Sequence, residues 1–248
     1  YFGAGKSVNG KRVFDDAVFK ENAIRPEVKM IEIKFSQGAK PGHGGILPAK
    51  KNTPEIAEIR GIDPGTDVNS PSYHKAFNTP MGLLKLMQQM RELSGGKPVG
   101  FKLCIGRKDE FMGICKAMLE SKILPDFITV DGGEGGTGAA PVEMTNSVGT
   151  PIRDPIIFVD RTLIGIGLRD KIRLIASGKM FSAFHILRVM ALGADTVNSA
   201  RGMMLALGCI QSRACNTDHC PTGIATQNPN RNKGLVVTDK AERVANFH

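Results

Sequence analysis

The chain has 248 residues, 41% of them hydrophobic and 23% charged, with 29 glycines, no tryptophan and a formal net charge of +9. That length supports a sizeable core, as one α/β barrel-sized domain or two smaller ones, and the composition carries no signal of disorder. The lysines and arginines are scattered, no run of five like charges occurs and only two tyrosines are present for base stacking, so the charge points to anionic small molecules and away from nucleic acid.

The chain opens on "YFGAGK" without an initiator Met, so its start reads as a cut, and any upstream membrane anchor would lie outside it. No signal peptide is legible and no apolar run reaches the ~18 residues of a spanning helix. Five β-like runs follow in order: "MIEIKFSQG" (30–38), "PVGFKLCIG" (98–106), "DFITVDGG" (126–133), "KIRLIASG" (171–178) and "ADTVNSAR" (194–201). Helical patterns lie between them. "TPMGLLKLMQQMRELSGG" has Thr79 as N-cap, Pro80 in its first turn and Gly95 at its close; "FMGICKAMLES" puts Phe111, Ile114, Met118 and Leu119 on one face; "SAFHILRVMALGAD" runs from Ser182 to Gly193.

The strands are largely apolar with little alternation, as in parallel strands buried on both faces. Repeated β-then-α units imply a doubly wound sheet or a (β/α)8 barrel. Five strands cannot close an eight-stranded barrel, so in a barrel the first three units would precede Tyr1. Lys34 and Gln37, Lys102, Asp131, Ser177 with Gly178, and Ala200 with Arg201 all fall at strand C-terminal ends. In parallel α/β proteins that edge binds ligands.

Three groups of residues could carry chemistry. In "KFSQGAKPGHGG" (34–45), Pro41 and Gly42 stiffen the turn after Lys40, and the glycines let backbone N–H groups approach an anion. "DGGEGGTGAAP" (131–141) can wrap closely around a flat ring or a phosphate, with Glu134 as a base or, more simply, as an organiser of the loop. It does not match the Rossmann fingerprint, and no phosphate-binding GxxxxGK[ST] occurs. "IASGKM" and "NSARGMM" end the last two strands, where barrels commonly hold phosphate, with Lys179 and Arg201 to supply charge.

Directly after the last strand come Cys209, Cys215 and Cys220, spaced C-x5-C-x4-C. Three thiolates followed by Pro221 suit an iron–sulfur cluster lacking one iron; the zinc alternative would recruit His219 as a fourth ligand, although it adjoins Cys220. Cys104 and Cys115 read as small core residues. An odd cysteine count with two members in apolar stretches argues for a reducing compartment, hence a cytoplasmic location. His185 reads as packing or surface, and neither a Ser-His-Asp nor an HExxH arrangement is present.

Taken together, "IEIKFSQGAKPGHGG", "FITVDGGEGGTGAAP", "ALGADTVNSARGMM" and "LGCIQSRACNTDHCPTGIATQ" resemble the FMN-binding synthase domain of the glutamate synthase family, in the family's order from about Tyr1 to about Asn230. The resemblance implies a (β/α)8 barrel, here its C-terminal five units, as a single domain over 1–248 with the cysteine loop 208–223 inside it. It implies FMN and a 3Fe-4S cluster, and reductive amination of 2-oxoglutarate through 2-iminoglutarate to L-glutamate. By the same resemblance Cys209, Cys215 and Cys220 would ligate the cluster, Lys34, Gln37 and Lys40 would line the flavin and substrate site, and Arg60 would clamp a carboxylate. Lys102 would lie near the flavin pyrimidine edge, Asp131, Gly132 and Gly133 beside the cofactor, and Ser177, Gly178, Ala200 and Arg201 at its phosphate. Electrons would come from ferredoxin or an NAD(P)H-dependent subunit, and the nitrogen from an ammonia source, with homo-oligomers left open. His43 stands where large glutamate synthases have Glu, and Ile46 where they have Gln, which leaves the substrate open. The alternatives are a related flavoprotein acting on another imine or amine, and a non-catalytic barrel fragment serving as an interaction module.

Overall fold

The computed structural model describes residues 4–8, 11–135, 138 and 140–248; Gly136, Thr137 and Ala139 of the glycine-rich segment and residues 1–3, 9 and 10 lie outside it. An antiparallel hairpin, β1 (Gly5–Val8) and β2 (Lys11–Phe14), leads into α1 (Asp16–Ala23), whose first turn is capped by the Asp15 carboxylate accepting from Val18 N at 3.0 Å. After β3 (Ile31–Lys34) the chain makes an excursion. A two-residue strand β4 (Ile46–Leu47), a 3-10 turn over Ala49–Lys51, and α2 (Pro54–Arg60) return as β5 (Val68–Asn69), antiparallel to β4. Then β and α alternate: α3 (Pro80–Leu93), β6 (Val99–Leu103), α4 (Lys108–Ser121), β7 (Phe127–Asp131), α5 (Arg153–Gly165), β8 (Arg173–Ser177), α6 (Ala183–Ala191), β9 (Thr196–Asn198) and α7 (Ala200–Ala206). The short α8 (Pro229–Asn232) and α9 (Val237–Phe247) complete the order.

All five expected strands form, and they pair in parallel in the order β3-β6-β7-β8-β9. Sequential neighbours are what an arc of a barrel requires, but among the described residues β3 and β9 remain edges, so the sheet is open. One face packs under the helices: Ile33, Phe101, Ile128, Val130, Leu174 and Ala176 join Leu83, Met87, Met118, Ile156 and Leu163 in one core. Each of the larger side chains, fully buried, contributes about 1.5–3 kcal/mol.

Two expectations need correction. The strands are not uniformly buried on both faces: β6 and β7 are, or nearly so, whereas β3, an edge strand among the described residues, exposes Glu32 and Lys34. On α4, Leu119 is 39% exposed and Cys115 takes the buried place beside Phe111, Ile114 and Met118. The helix starts behave as read. Thr79 accepts from Gly82 N at 3.0 Å and Ser182 caps His185 N. No helix among the described residues is long and apolar enough to cross a membrane.

The N-terminal edge of the sheet is tied by ion pairs. Arg169 bridges Asp160 at 2.7 Å and Asp195 at 3.0 Å, Asp195 also accepts from Leu174 N, and Arg91 pairs with Asp126 at 2.8 Å. The opposite edge carries lysines and glycines instead. That division leaves the C-terminal edge for a site.

Candidate active site

Register brings the lysines together. Lys34 at the end of β3 pairs with Lys102 on β6, and Lys102 in turn with Thr129 on β7, so two ammonium groups share one face of the sheet. Like charges directly opposite one another are destabilising. Lys34 as a whole residue is exposed, yet desolvation at its ammonium, then the charges of Lys102 and Lys40, hold its pKa below the usual lysine value against the opposing pull of Asp131 and Glu32. Glu32 is itself occupied by the Thr129 hydroxyl, which donates to it at 2.6 Å. Three lysine charges thus meet two carboxylates that are partly engaged elsewhere.

Lys40 is 3% exposed, its ammonium donating to the Gly44 carbonyl at 3.1 Å, and burial lowers its pKa. Glycine makes this loop possible. Gly38 N donates to the buried Asp131 carboxylate at 2.8 Å, and a Cβ on Gly38 would overlap the Gly132 carbonyl. The loops after β3 and β7 therefore touch backbone to backbone. Asp131, expected beside the cofactor, pins these two loops, while Gly132 N donates to Ser177 O at 2.7 Å and Gly133 N to Thr150 O at 2.8 Å. Both oxygens of Glu134 accept from Ile152 N at 3.0 Å, at the start of α5, so this carboxylate organises the loop.

Gln37 is half-buried on the same loop, Gly178 is buried against Ile152, and Ala200 and Arg201 open α7 beyond β9. Lys34, Lys102, Asp131, Gly132, Ser177 and Gly178 thus share one edge through strand register and direct hydrogen bonds. Arg60 ends α2 on the wall of a cavity of about 330 Å³, with Lys51, Ile46, Ser70 and Cys215 among the other residues that line it.

The cysteine segment departs from the expected ligand set. All five cysteines are free thiols, but among the described residues no group of three or more His, Cys, Asp or Glu side chains could hold a metal ion. Each sulfur of the trio has a local partner instead. Cys209 Sγ accepts from Gln211 N at 3.4 Å, Cys215 Sγ lies against Gly138, and Cys220 Sγ meets the Thr222 hydroxyl at 3.4 Å. Burial acts to raise the Cys220 pKa, but the Thr222 hydroxyl and the amides of Ala225, Thr222 and Ile224 outweigh it, and the thiol sits below its ordinary value. His219 meets Lys50 Nζ at 3.3 Å, so the zinc alternative finds no assembled set either.

Lys51 is a residue the sequence reading missed. Its ammonium donates to Cys215 O at 2.9 Å and Ala225 O at 3.1 Å, fastening the cysteine segment to the excursion between β4 and β5. The only sign of it is a lysine pair just after the glycine-rich loop; partners more than 160 residues away leave no local trace.

Comparison with known proteins bears on these residues. The family described as "Conserved region in glutamate synthase" matches residues 20–248. "Glutamate synthase large subunit-like protein YerD" of Bacillus subtilis is 40% identical over 246 residues, covering 99% of this chain and 46% of that protein. "Archaeal glutamate synthase [NADPH]" of Methanocaldococcus jannaschii is 40% identical over 218 residues, 88% of this chain and 42% of that one. "Ferredoxin-dependent glutamate synthase" of Antithamnion sp. is 34% identical over 201 residues, 80% of this chain and 13% of that one. The chain spans less than half the length of each of these three relatives.

Proposed function

The chain belongs to the glutamate synthase family, and from that premise we propose that residues 1–248 form one domain, part of an FMN-binding (β/α)8 barrel that reductively aminates 2-oxoglutarate to L-glutamate. The observation that carries the reading is the convergence of Lys34, Lys102 and Lys40 at a strand edge where glycine loops lie backbone to backbone. Crowded ammonium groups at a ligand edge fit a planar group that gathers negative charge on one side, as the pyrimidine edge of reduced FMN does. The chemistry FMN supplies when bound is hydride transfer to the imine carbon of 2-iminoglutarate.

This chain's own residues do the holding. Lys34 and Lys102 balance charge at the ring edge, Gln37 and Lys40 line the reacting side, and Asp131 with Gly132 and Gly133 keeps the loop close to the ring. Ser177, Gly178, Ala200 and Arg201 hold the phosphate, and Arg60 clamps a carboxylate of the oxo acid with its planar fork. Electrons come from an external donor, an NAD(P)H-dependent subunit or ferredoxin, and nitrogen from ammonium or the amide of glutamine.

The 3Fe-4S cluster on Cys209, Cys215 and Cys220 belongs to the reading by family and spacing. As folded the three sulfurs are not a ready ligand set, so loading would have to draw them together. Iron and acid-labile sulfide in full-length protein, with electron paramagnetic resonance after oxidation, test it. A second reading keeps the cofactor and changes the substrate, favoured by Ile46, which is 49% exposed on the cavity that Arg60 lines. Reoxidation of the reduced flavin by 2-oxoglutarate plus ammonium or glutamine, with product analysis, decides between the two.

A further inference from the structure

We infer that Glu32, aimed by the Thr129 hydroxyl, is the fixed counter-charge of the lysine edge, a positioning residue that keeps Lys34 in the ammonium form an anion needs. What that form serves rests on the reading of Lys34 as a flavin contact; the counter-charge itself does not. Side chains alternate along a strand and register partners share a face. Glu32 and Lys34 on β3, Lys102 on β6, and Thr129 and Asp131 on β7 therefore stand on one side of the sheet, opposite Ile33, Phe101, Ile128 and Val130 of the helix-covered core.

Glu32 and Thr129 lie on strands that β6 separates, yet the hydroxyl donates to Glu32 Oε1 at 2.6 Å. Gly100 permits that reach. It is the register partner of Glu32, and a Cβ there would overlap the Phe127 carbonyl and ring, so no side chain stands in the way. Thr129 is fully buried, and its hydroxyl engages one carboxylate oxygen while the other stays open to cations. Burial and the charges of Lys102 and Lys40 act to remove the Lys34 proton; Asp131 and Glu32 act to keep it. The Asp131 carboxylate also accepts from Gly38 N, at the loop that it pins. Three ammonium groups against two carboxylates still leave the edge positive, so an anion remains welcome.

The test reads Lys34 in flavin-free full-length protein, by a heteronuclear NMR titration of isotope-labelled lysine side chains assigned with Lys34→Met. Glu32→Gln should lower the Lys34 midpoint by about one pH unit, as removal of a nearby opposite charge does. Thr129→Val should lower it less, and should add nothing in the Glu32→Gln background, because Thr129 acts through the carboxylate. FMN titrations should follow: Glu32→Gln binds FMN as well as wild type near neutral pH and loses it about one pH unit earlier on the alkaline side. An unmoved midpoint, or FMN binding weakened alike at every pH, overturns the inference. A further drop in the double variant overturns the role given to Thr129. Should Thr129→Val fail to fold, Glu32→Gln alone decides the counter-charge. A midpoint that moves in protein unable to bind FMN supports the counter-charge and sinks only the flavin reading; FMN bound with the midpoint unmoved does the reverse.

Discussion

Lys34 and Lys102 face each other across neighbouring strands, an arrangement the folded chain tolerates at a cost unless an anion lies between them. Lys34→Met should therefore leave the apo protein at least as resistant to heat as wild type, and weaken FMN binding roughly tenfold, as expected for loss of a charge-assisted contact. Melting curves and flavin titration measure the two effects. The pH dependence has a definite sign. The Lys34 pKa lies below 10.5 in the fold, so as pH rises toward that value the folded chain releases the proton while the unfolded chain retains it. Stability gains across this window, and FMN affinity falls as the ammonium is lost. Lys34→Met should flatten the affinity profile there. The lysines and glycines of this edge were legible because they follow strands at recognisable turns. The cysteine geometry was not: spacing marks thiols as neighbours in the chain, but where each sulfur points depends on Gln211, Gly138 and Thr222.

Among the elements, the Arg169 network ties α5, β8 and the start of β9 together through Asp160, the Ile172 and Gly193 carbonyls, and Asp195. Its side chains are mostly buried, so Arg169→Met, which leaves two carboxylates without their shared cation, should cost roughly 3 kcal/mol by denaturant unfolding. The pH sign is opposite to that of Lys34. Burial raises the Asp195 pKa, but the Leu174 amide and Arg169 outweigh it and hold it below 3.8. Its contribution is present above that value and is lost as pH falls through the lower, folded pKa. Acid unfolding of wild type should steepen there, and Asp195→Asn should remove that component. Strands were the legible elements, since their apolar runs end in glycine or small polar residues. Helix α5 was not: "PIIFVD" reads as a short apolar run that opens on a proline, and the carboxylate at the start of the helix comes from Glu134, 18 residues before Ile152.

For the whole molecule, the two open sheet edges and an apolar strip on α6 set the behaviour of the chain on its own. Phe184 is 83% and Leu187 62% exposed, one turn apart. These 248 residues expressed alone should self-associate at micromolar concentration in analytical ultracentrifugation, and Phe184→Lys with Leu187→Lys should reduce that association. A clean monomer without the substitutions would count against this view. The order of the strands was readable from the repeated β-then-α pattern; closure was not, because it depends on which strands flank β3 and β9. The flavin remains the most direct test of the account. Full-length protein should carry about one FMN per chain, and its photoreduced flavin should be reoxidised by 2-oxoglutarate with ammonium or glutamine. Protein that is folded yet binds no flavin, in wild type and after reconstitution, would contradict the assignment of the lysine edge.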